Sequence, residues 1–379
     1  DVYKRQVLMR ILHVGKFYPV MGGIEKMMVD IVSGMSDCKG IYCDMLCASV
    51  NHHSFVVPIG AGSRIICTST WFKVFATMFS PMMGVVLRKI KKDYDIIHIH
   101  HPDPMAALAL WISGYKGKVI LHWHSDILKQ RLTLRLYAPL QQWLIGRADV
   151  IVGTSPVYLC ESPFLQSERL KKVCIPIGIS PLLPDTGKVT EIRREYAGKK
   201  LIFSLGRLVE YKGFEYLIEA AALLPDEYLI LIGGNGPLKQ KLEELIEARQ
   251  LHSKVKLLGR VSDENLSGYF GACDLYVMSS IWKTEAFGIV QIEAMSCGKP
   301  VVATKIKGSG VSWVNKDGVS GINVEPESAM EIADAIVRIL SDEERYKVFS
   351  HAAKERYETL FRKERMIEKC VDLYKNVVK

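Results

Sequence analysis

Short apolar runs alternate with longer amphipathic stretches along almost all of this 379-residue chain, and that alternation restricts the fold more than any other feature. RILHVG, DIIHIHH, KVILHWH and ADVIVGTS in the first half, and KLIFSLG, YLILIGG, VKLLG, DLYVMSS and PVVAT in the second, are short and nearly continuous in apolar side chains. Strands buried on both faces read this way, and strands separated by helical patterns build βαβ units with parallel sheets. Between the two series lies IPIGISPLLPDTGKVTEIRREY, rich in Pro and Gly and without an apolar period, which marks a linker near residues 178–198. The expected fold class is therefore α/β, with two similar domains over residues 9–180 and 181–379 facing across a cleft. The last helix, ERYETLFRKERMIEKCVDLYKNVVK, suits packing on either domain. The opening DVYKRQVL, residues 1–8, leads into no pattern and is read as a non-native extension without a function.

Composition narrows the partners. The net charge of +9 lies wholly in residues 1–180, which carry 21 Lys and Arg against 12 Asp and Glu, while the remainder is balanced. These cations are not interleaved with a stacking platform of aromatics, which argues against nucleic acid. An anionic membrane surface suits them better. Residues 70–92, TWFKVFATMFSPMMGVVLRKIKK, join an aromatic and Met-rich stretch to Arg88, Lys89, Lys91 and Lys92, as an interfacial element would. Lys73, Pro81 and Gly84 make the same segment a poor spanning helix. Nine cysteines fall singly, without zinc-site spacing, as in a reducing compartment. No secretory leader is evident, so the expected location is the cytoplasm, peripheral on the inner face of the membrane.

In open α/β sheets ligands bind outside the carboxyl ends of strands, so the loops after the strands are where chemistry is sought. Gly22 and Gly23 lie between the first strand and its helix, where bare backbone can approach an anion. They match neither a dinucleotide fingerprint nor a P-loop, and an ordinary glycine turn reads the same. Arg207 and Lys212 share a loop that precedes a helix, an arrangement fit for a diphosphate and equally for solvated charge. Glu285 stands just before a short helix starting near Phe287, beside the amides of Phe287 and Gly288, and Glu293 about two turns inside it. A carboxylate so placed can accept two hydrogen bonds from a vicinal diol, as on a ribose.

The combination is more specific than its parts. MGGIEK, HWHSDI, IPIGI, GRLVEYKGF, GGNGPL, LGRVSDENL and EAFGIVQIEAMSCGKPVVAT occur in one order over nearly the whole chain from Met9. In this it resembles the retaining nucleotide-sugar glycosyltransferases of family four, group 1, which have the GT-B fold of two Rossmann-like domains. The resemblance implies a metal-independent hexosyltransferase with no cofactor, whose substrates are a nucleoside-diphosphate sugar, GDP-mannose or a UDP-sugar foremost, and a glycan or lipid-linked saccharide acceptor. It implies Gly22, Gly23, Arg207, Lys212, Val261, Glu285, Phe287, Gly288 and Glu293 as donor-binding. By the same resemblance His124, Glu285, Arg207 and Lys212 are catalytic, and His101 and Asp126 lie on the acceptor side. HWHSDILKQ and LYAPL, followed by GTSPVYLCES, are similar to bacterial mannosyl- and rhamnosyl-type transferases of surface-polysaccharide synthesis. Lys307-Gly308-Ser309-Gly310 departs from the family's commoner Gly-Gly-x-x-Glu, which leaves the donor sugar open.

Two rival readings remain. Five of the ten histidines fall between His98 and His124, and with Asp103 or Asp126 they would suit a metallohydrolase. In a strand, His98 and His100 share one face while His101 takes the other, and His122 and His124 share a face of a neighbouring strand. A noncatalytic sugar-nucleotide binder or an epimerase on the same fold is the second rival.

Overall fold

Apolar runs this short can bury both faces only inside a helix-covered sheet, and in the computed structural model each becomes a parallel strand. The structure describes residues 8–20, 22–60, 62–74, 77–127 and 131–379, with residues 131–134 by backbone alone. Residues 1–7, most of the stretch read as an extension, lie outside the described residues.

Two compact units are present, one of residues up to Gly178 together with Lys363–Lys379, the other of Ile179–Arg362. The first contains β1 (Met9–Tyr18), β2 (Ile41–Ser49), β3 (Phe55–Ile59), β4 (Ser63–Thr68), β5 (Phe72–Val74), β6 (Thr77–Phe79), β7 (Ile96–His101), β8 (Lys118–Trp123), β9 (Val150–Gly153) and β10 (Lys172–Cys174). Its main sheet runs β10-β9-β8-β7-β1-β2-β4-β3, parallel except for the antiparallel edge strand β3. The second unit contains β11 (Lys200–Leu205), β12 (Tyr228–Gly233), β13 (Val255–Gly259), β14 (Leu275–Met278), β15 (Val301–Thr304) and β16 (Gly321–Val324) in the order β13-β12-β11-β14-β15-β16, all parallel. That is the doubly wound order of a Rossmann fold, and it places the reversal of strand order between β11 and β14. In the first sheet the reversal lies between β1 and β7.

At the carboxyl end the last helix takes the first of the two partners open to it. The helix Lys363–Val378 belongs to the first unit, because its apolar face of Met366, Ile367, Cys370, Leu373 and Tyr374 is buried there. Ile367 lies so close to Gly34, in the helix Gly23–Met35, that a Cβ on that glycine would meet its Cδ1. Lys363 also reaches Asp30 of that helix at 3.4 Å.

Residues 70–92 form no single interfacial helix. Phe72–Val74 and Thr77–Phe79 pair antiparallel, with residues 75 and 76 outside the described residues, and Pro81 then starts the nine-residue helix Met82–Ile90. Proline is tolerated there because the first N–H groups of a helix have no intrahelical partner. Among the described residues no helix is long and apolar enough to cross a membrane. All nine cysteines are free thiols.

Candidate active site

The second unit gathers its polar groups where its strand order reverses. Lys212 comes from the loop after β11 and Glu285 from the loop after β14. Their charged ends meet at 2.5 Å, with side chains only 11% and 13% exposed. The two loops are sewn together backbone to backbone. Ile281 N–H donates to the Tyr211 carbonyl at 2.8 Å, and Ser279 Oγ donates to the Lys212 carbonyl at 3.0 Å. Gly213 closes the first loop with φ of 60°, and a Cβ there would stand 2.3 Å from the Ser279 carbonyl oxygen. Only glycine permits both that backbone angle and that approach.

Glu285 is held from several sides. Ser280 Oγ donates to its carboxylate at 3.4 Å, and its backbone N–H donates to the Trp282 carbonyl at 2.9 Å. The buried Ser309 hydroxyl donates to the Glu285 carbonyl, and Gly310 N–H donates to that of Ala286 at 2.8 Å. The stretch that departs from the family's commoner pattern thus braces the glutamate loop. Burial lowers the proton affinity of the Lys212 amine, but the adjoining Glu285 carboxylate outweighs it and holds the ammonium above its usual range. Tyr276, on β14 beneath the pair, is pushed well above its usual range by burial and then by the charges of Glu285 and Glu293.

The helix after this loop runs Ile289–Ser296, starting two residues later than the sequence suggests. Its N-cap is Gly288, at φ of 78°, where a Cβ would meet Gln291 Nε2 at 2.5 Å and Met278 Sδ at 2.8 Å. Glu293 consequently sits about one turn inside, not two, and is half-buried. Phe287 is buried edge-on against Phe361. Arg207 is exposed on the loop after β11, and Val261, after β13, lies over Gly233 of β12.

In the first unit Gly22 caps the helix Gly23–Met35 with extended backbone, and Glu25 in that first turn is buried. A Cβ on Gly22 would stand 2.6 Å from Glu25 Oε2. Beside this loop Asp103 binds the Lys16 amide at 2.5 Å and caps the helix Pro104–Ser113 through the Met105 and Ala106 amides.

Sheet register decides the histidines. His13 aligns with His98 across β1 and β7, and His100 with His122 across β7 and β8. His13, His98, His100, His122 and His124 share one face as a buried ladder. His101 lies on the opposite face, stacked on Trp123 at 3.7 Å between ring centres. Burial lowers His13, His101 and His122 to about 3, and burial followed by neighbouring imidazoles holds His98, His100 and His124 well below the usual range. Asp126 accepts from Trp123 Nε1 at 2.9 Å and from Ser162 Oγ at 2.8 Å. Like His101, it is thereby tied into local packing.

Among the described residues, the clusters able to gather around a cation are His13, His98 and His100, and His100, His122 and His124. Neither Asp103 nor Asp126 joins them, so the carboxylate that the metallohydrolase reading requires is lacking there. His13 and Tyr374, the ladder's partners outside the HIHH and HWH runs, were not singled out by sequence. His13 was legible as the inward residue of RILHVG, whereas Tyr374 lies 361 residues away and left no signal.

Comparison with known proteins agrees with this architecture. Residues 187–356 match the family model of glycosyl transferases group 1, and residues 21–159 that of glycosyltransferase family 4. The O-antigen chain mannosyltransferase C of Escherichia coli is 31% identical over 372 residues, spanning 97% of this chain and 98% of that protein. The D-rhamnosyltransferase WbpZ of Pseudomonas aeruginosa is 30% identical, spanning 93% and 92%. Sucrose-phosphate synthase from Thermosynechococcus elongatus shares the fold with a TM-score of 0.79 at 20% identity, over 97% of this chain and 99% of that one. HepE of Anabaena, in complex with UDP and glucose, does so with a TM-score of 0.74 at 21% identity, over 97% and 100%. The chain belongs to the group 1, family 4 glycosyltransferases and has their GT-B fold of two Rossmann-like domains.

Proposed function

We propose that this enzyme transfers a hexose from a nucleoside-diphosphate sugar, GDP-mannose or a UDP-sugar, to a glycan or lipid-linked saccharide of surface-polysaccharide synthesis, with retention of anomeric configuration. The observation that carries this reading is the Lys212–Glu285 pair at the switch point of the second sheet, with Arg207 on the same loop as Lys212. The relatives' names support the sugar class, and the UDP in the Anabaena structure supports the donor class.

In this reading the bond between the anomeric carbon and the diphosphate breaks, and its electron pair leaves with the diphosphate. The acceptor oxygen takes the vacated position on the same face and gives up its proton to the departing diphosphate. Preorganised cations aimed at the departing charge are the main catalytic term, and Arg207 and Lys212 serve as those cations without a metal. Glu293 holds the ribose, Glu285 with the Phe287 and Gly288 amides holds the sugar, and the family resemblance gives Gly22 and Gly23 a phosphate-binding role. Val261 lines the donor's side. Glu285 is committed to Lys212, which makes it a poor nucleophile for a covalent intermediate. His101 and Asp126 shape the acceptor side through the Trp123 packing. Thermal stabilisation by GDP, UDP, dTDP and ADP and their sugars tests the donor class. Stabilisation by one diphosphate above the others is expected; none by any would defeat the reading, as would a product of inverted configuration.

His124 meets the transferred sugar in this reading, and a matched pair of variants checks it. His122 and His124 are neighbours in the ladder, 4.2 Å between ring centres and both buried. Replacing either by Phe keeps an aromatic ring and removes its nitrogens. His124→Phe should slow transfer by about 10² or more, the scale of one positioned catalytic group. His122→Phe should keep most of the parental rate, because neither His122 ring nitrogen has a hydrogen-bond partner. Equal rates in steady-state assays would return His124 to a structural role.

The surface that would meet the membrane belongs to the same unit. Trp71 (64% exposed), Phe72, Met82, Val85, Trp111 (57%) and Ile112 are all exposed, on or next to β5 and the helices Met82–Ile90 and Pro104–Ser113, which pack together. Arg88, Lys89 and Lys92 continue the exposed face of Met82–Ile90. Lys91 is occupied instead, donating to the Ser113 carbonyl. Changing Arg88, Lys89 and Lys92 to Gln should weaken co-sedimentation with anionic vesicles by about 1 kcal/mol each at low salt while sparing donor binding. Unaltered sedimentation would remove this surface from the proposal.

A further inference from the structure

The buried ladder contains one continuous hydrogen-bonded chain. Tyr374 Oη lies 2.7 Å from His98 Nδ1 and 3.0 Å from His13 Nε2. His13 Nδ1 meets His100 Nε2 at 2.8 Å, and His100 Nδ1 meets His124 Nε2 at 2.9 Å. The ring centres of these two imidazole pairs are 5.1 and 5.2 Å apart, wider than the joined nitrogens by about one ring diameter. The rings therefore meet edge to edge and in line, as hydrogen-bonded imidazoles do, with the lone pair of one aimed along the N–H of the next.

A neutral imidazole donates through one nitrogen and accepts through the other. Burial keeps His13, His98, His100 and His124 neutral at ordinary pH. Fixing the proton on one ring thus fixes it on all, and only two registers exist. If Tyr374 donates to His13, then His13, His100 and His124 each carry the proton on Nδ1. If Tyr374 donates to His98, the three carry it on Nε2. His98 Nε2 and His124 Nδ1 have no partner, so either register leaves one unpaired donor and one unpaired acceptor, and that count does not choose between them. The distances do. Hydroxyl donors make the shorter bonds and ring N–H donors the longer, so the 2.7 Å contact is Tyr374 donating to His98 and the 3.0 Å contact is His13 donating to Tyr374. The Cys370 thiol, one turn back on the same helix, also faces the Tyr374 hydroxyl.

We propose that Tyr374, His98, His13 and His100 form a tautomer relay that holds the proton of His124 on Nε2 and leaves Nδ1, buried without a partner in this structure, as a bare acceptor for a hydroxyl of the bound sugar. The relay itself is independent of the reaction; its use at the sugar rests on the functional reading above. His13, His98, His100 and Tyr374 are positioning residues, acting on the sugar only through His124.

Imidazole nitrogen-15 spectra of the whole enzyme, assigned by single histidine replacements, read the proton on each ring. In the parent, His13, His100 and His124 should all be Nε2–H tautomers; a mixed set, or Nδ1–H on His124, overturns the assignment. His98→Phe preserves an aromatic ring but removes the acceptor of Tyr374, whose hydroxyl then donates to His13. The proton on His124 should move to Nδ1, although His98 makes no hydrogen bond to it, and transfer should slow roughly fivefold, the scale of one neutral hydrogen bond. Adding Tyr374→Phe cuts the connection, so His98→Phe should then leave the His124 tautomer unmoved. No change on His98→Phe alone would end the relay. A moved proton with an unchanged rate would keep the relay and end the placement of His124 at the sugar.

Discussion

Acidification from about pH 7.5 to about pH 5 should unfold the first unit and leave the second folded. Six histidines of the first unit are buried, His13, His98, His100, His101, His122 and His124. Burial holds His13, His101 and His122 at about 3 and the other three well below the usual range. In the unfolded chain each protonates near ~6.5. The unfolded state therefore binds more protons from about pH 6.5 down to about pH 3. Stability is fully present above that window and falls as the pH falls through it. Each histidine contributes up to about 1.4 kcal/mol per pH unit, so six together reach the whole stability of an ordinary domain, roughly 5–15 kcal/mol, within one to two units. His252 and His351, the second unit's histidines, are both exposed. Peptide-resolved hydrogen exchange over a pH series separates the units. Protection in β1, β7 and β8 that survives to pH 5, or that is lost together with protection in β11 and β14, would contradict the neutral ladder.

What was legible in the sequence follows from how burial writes itself into a strand. RILHVG, DIIHIHH, KVILHWH and the five runs of the second half were readable because they are short and nearly continuous in apolar side chains. The strand β2 was not picked out, because Asp44 interrupts it. That carboxylate is buried and satisfied from outside the strand, by Tyr94 Oη at 2.5 Å and by Arg64 through its amide at 2.9 Å and Nε at 3.0 Å. Such compensation is tertiary and cannot appear in a local pattern. The placement of the last helix failed to resolve for the same reason, since its amphipathic face fits any apolar partner until Gly34 opens a groove for Ile367. The switch-point loops were findable in advance, because a strand's carboxyl end is marked by glycine and charge. Their cross-links were not: Ser309 bracing Glu285, and Lys212 paired with that same glutamate, join residues that sequence treats as separate signals.

That pairing sets the largest kinetic expectation. Lys212→Ala should lower turnover by about 10² or more, because it removes a fixed cation from where charge builds on the leaving group. Glu285→Ala should do comparably, since Lys212 is then no longer aimed. Each single change also leaves one partner of a nearly buried pair unmatched, at a cost of about 1–3 kcal/mol in stability. Arg207→Ala, at an exposed position, should slow turnover with little change in melting temperature. The decisive variant is the double, Lys212→Ala with Glu285→Ala. Removing both charges relieves the unmatched partner, so the melting temperature should recover toward the parent, as expected for a coupled pair. Turnover should not recover, because residues that act as one unit lose no less when both are gone. Stability and rate thus part company in the double variant if the pair acts on the donor. If they recover together, the pair is a strut between the loops after β11 and β14, and the diphosphate must be met by other groups.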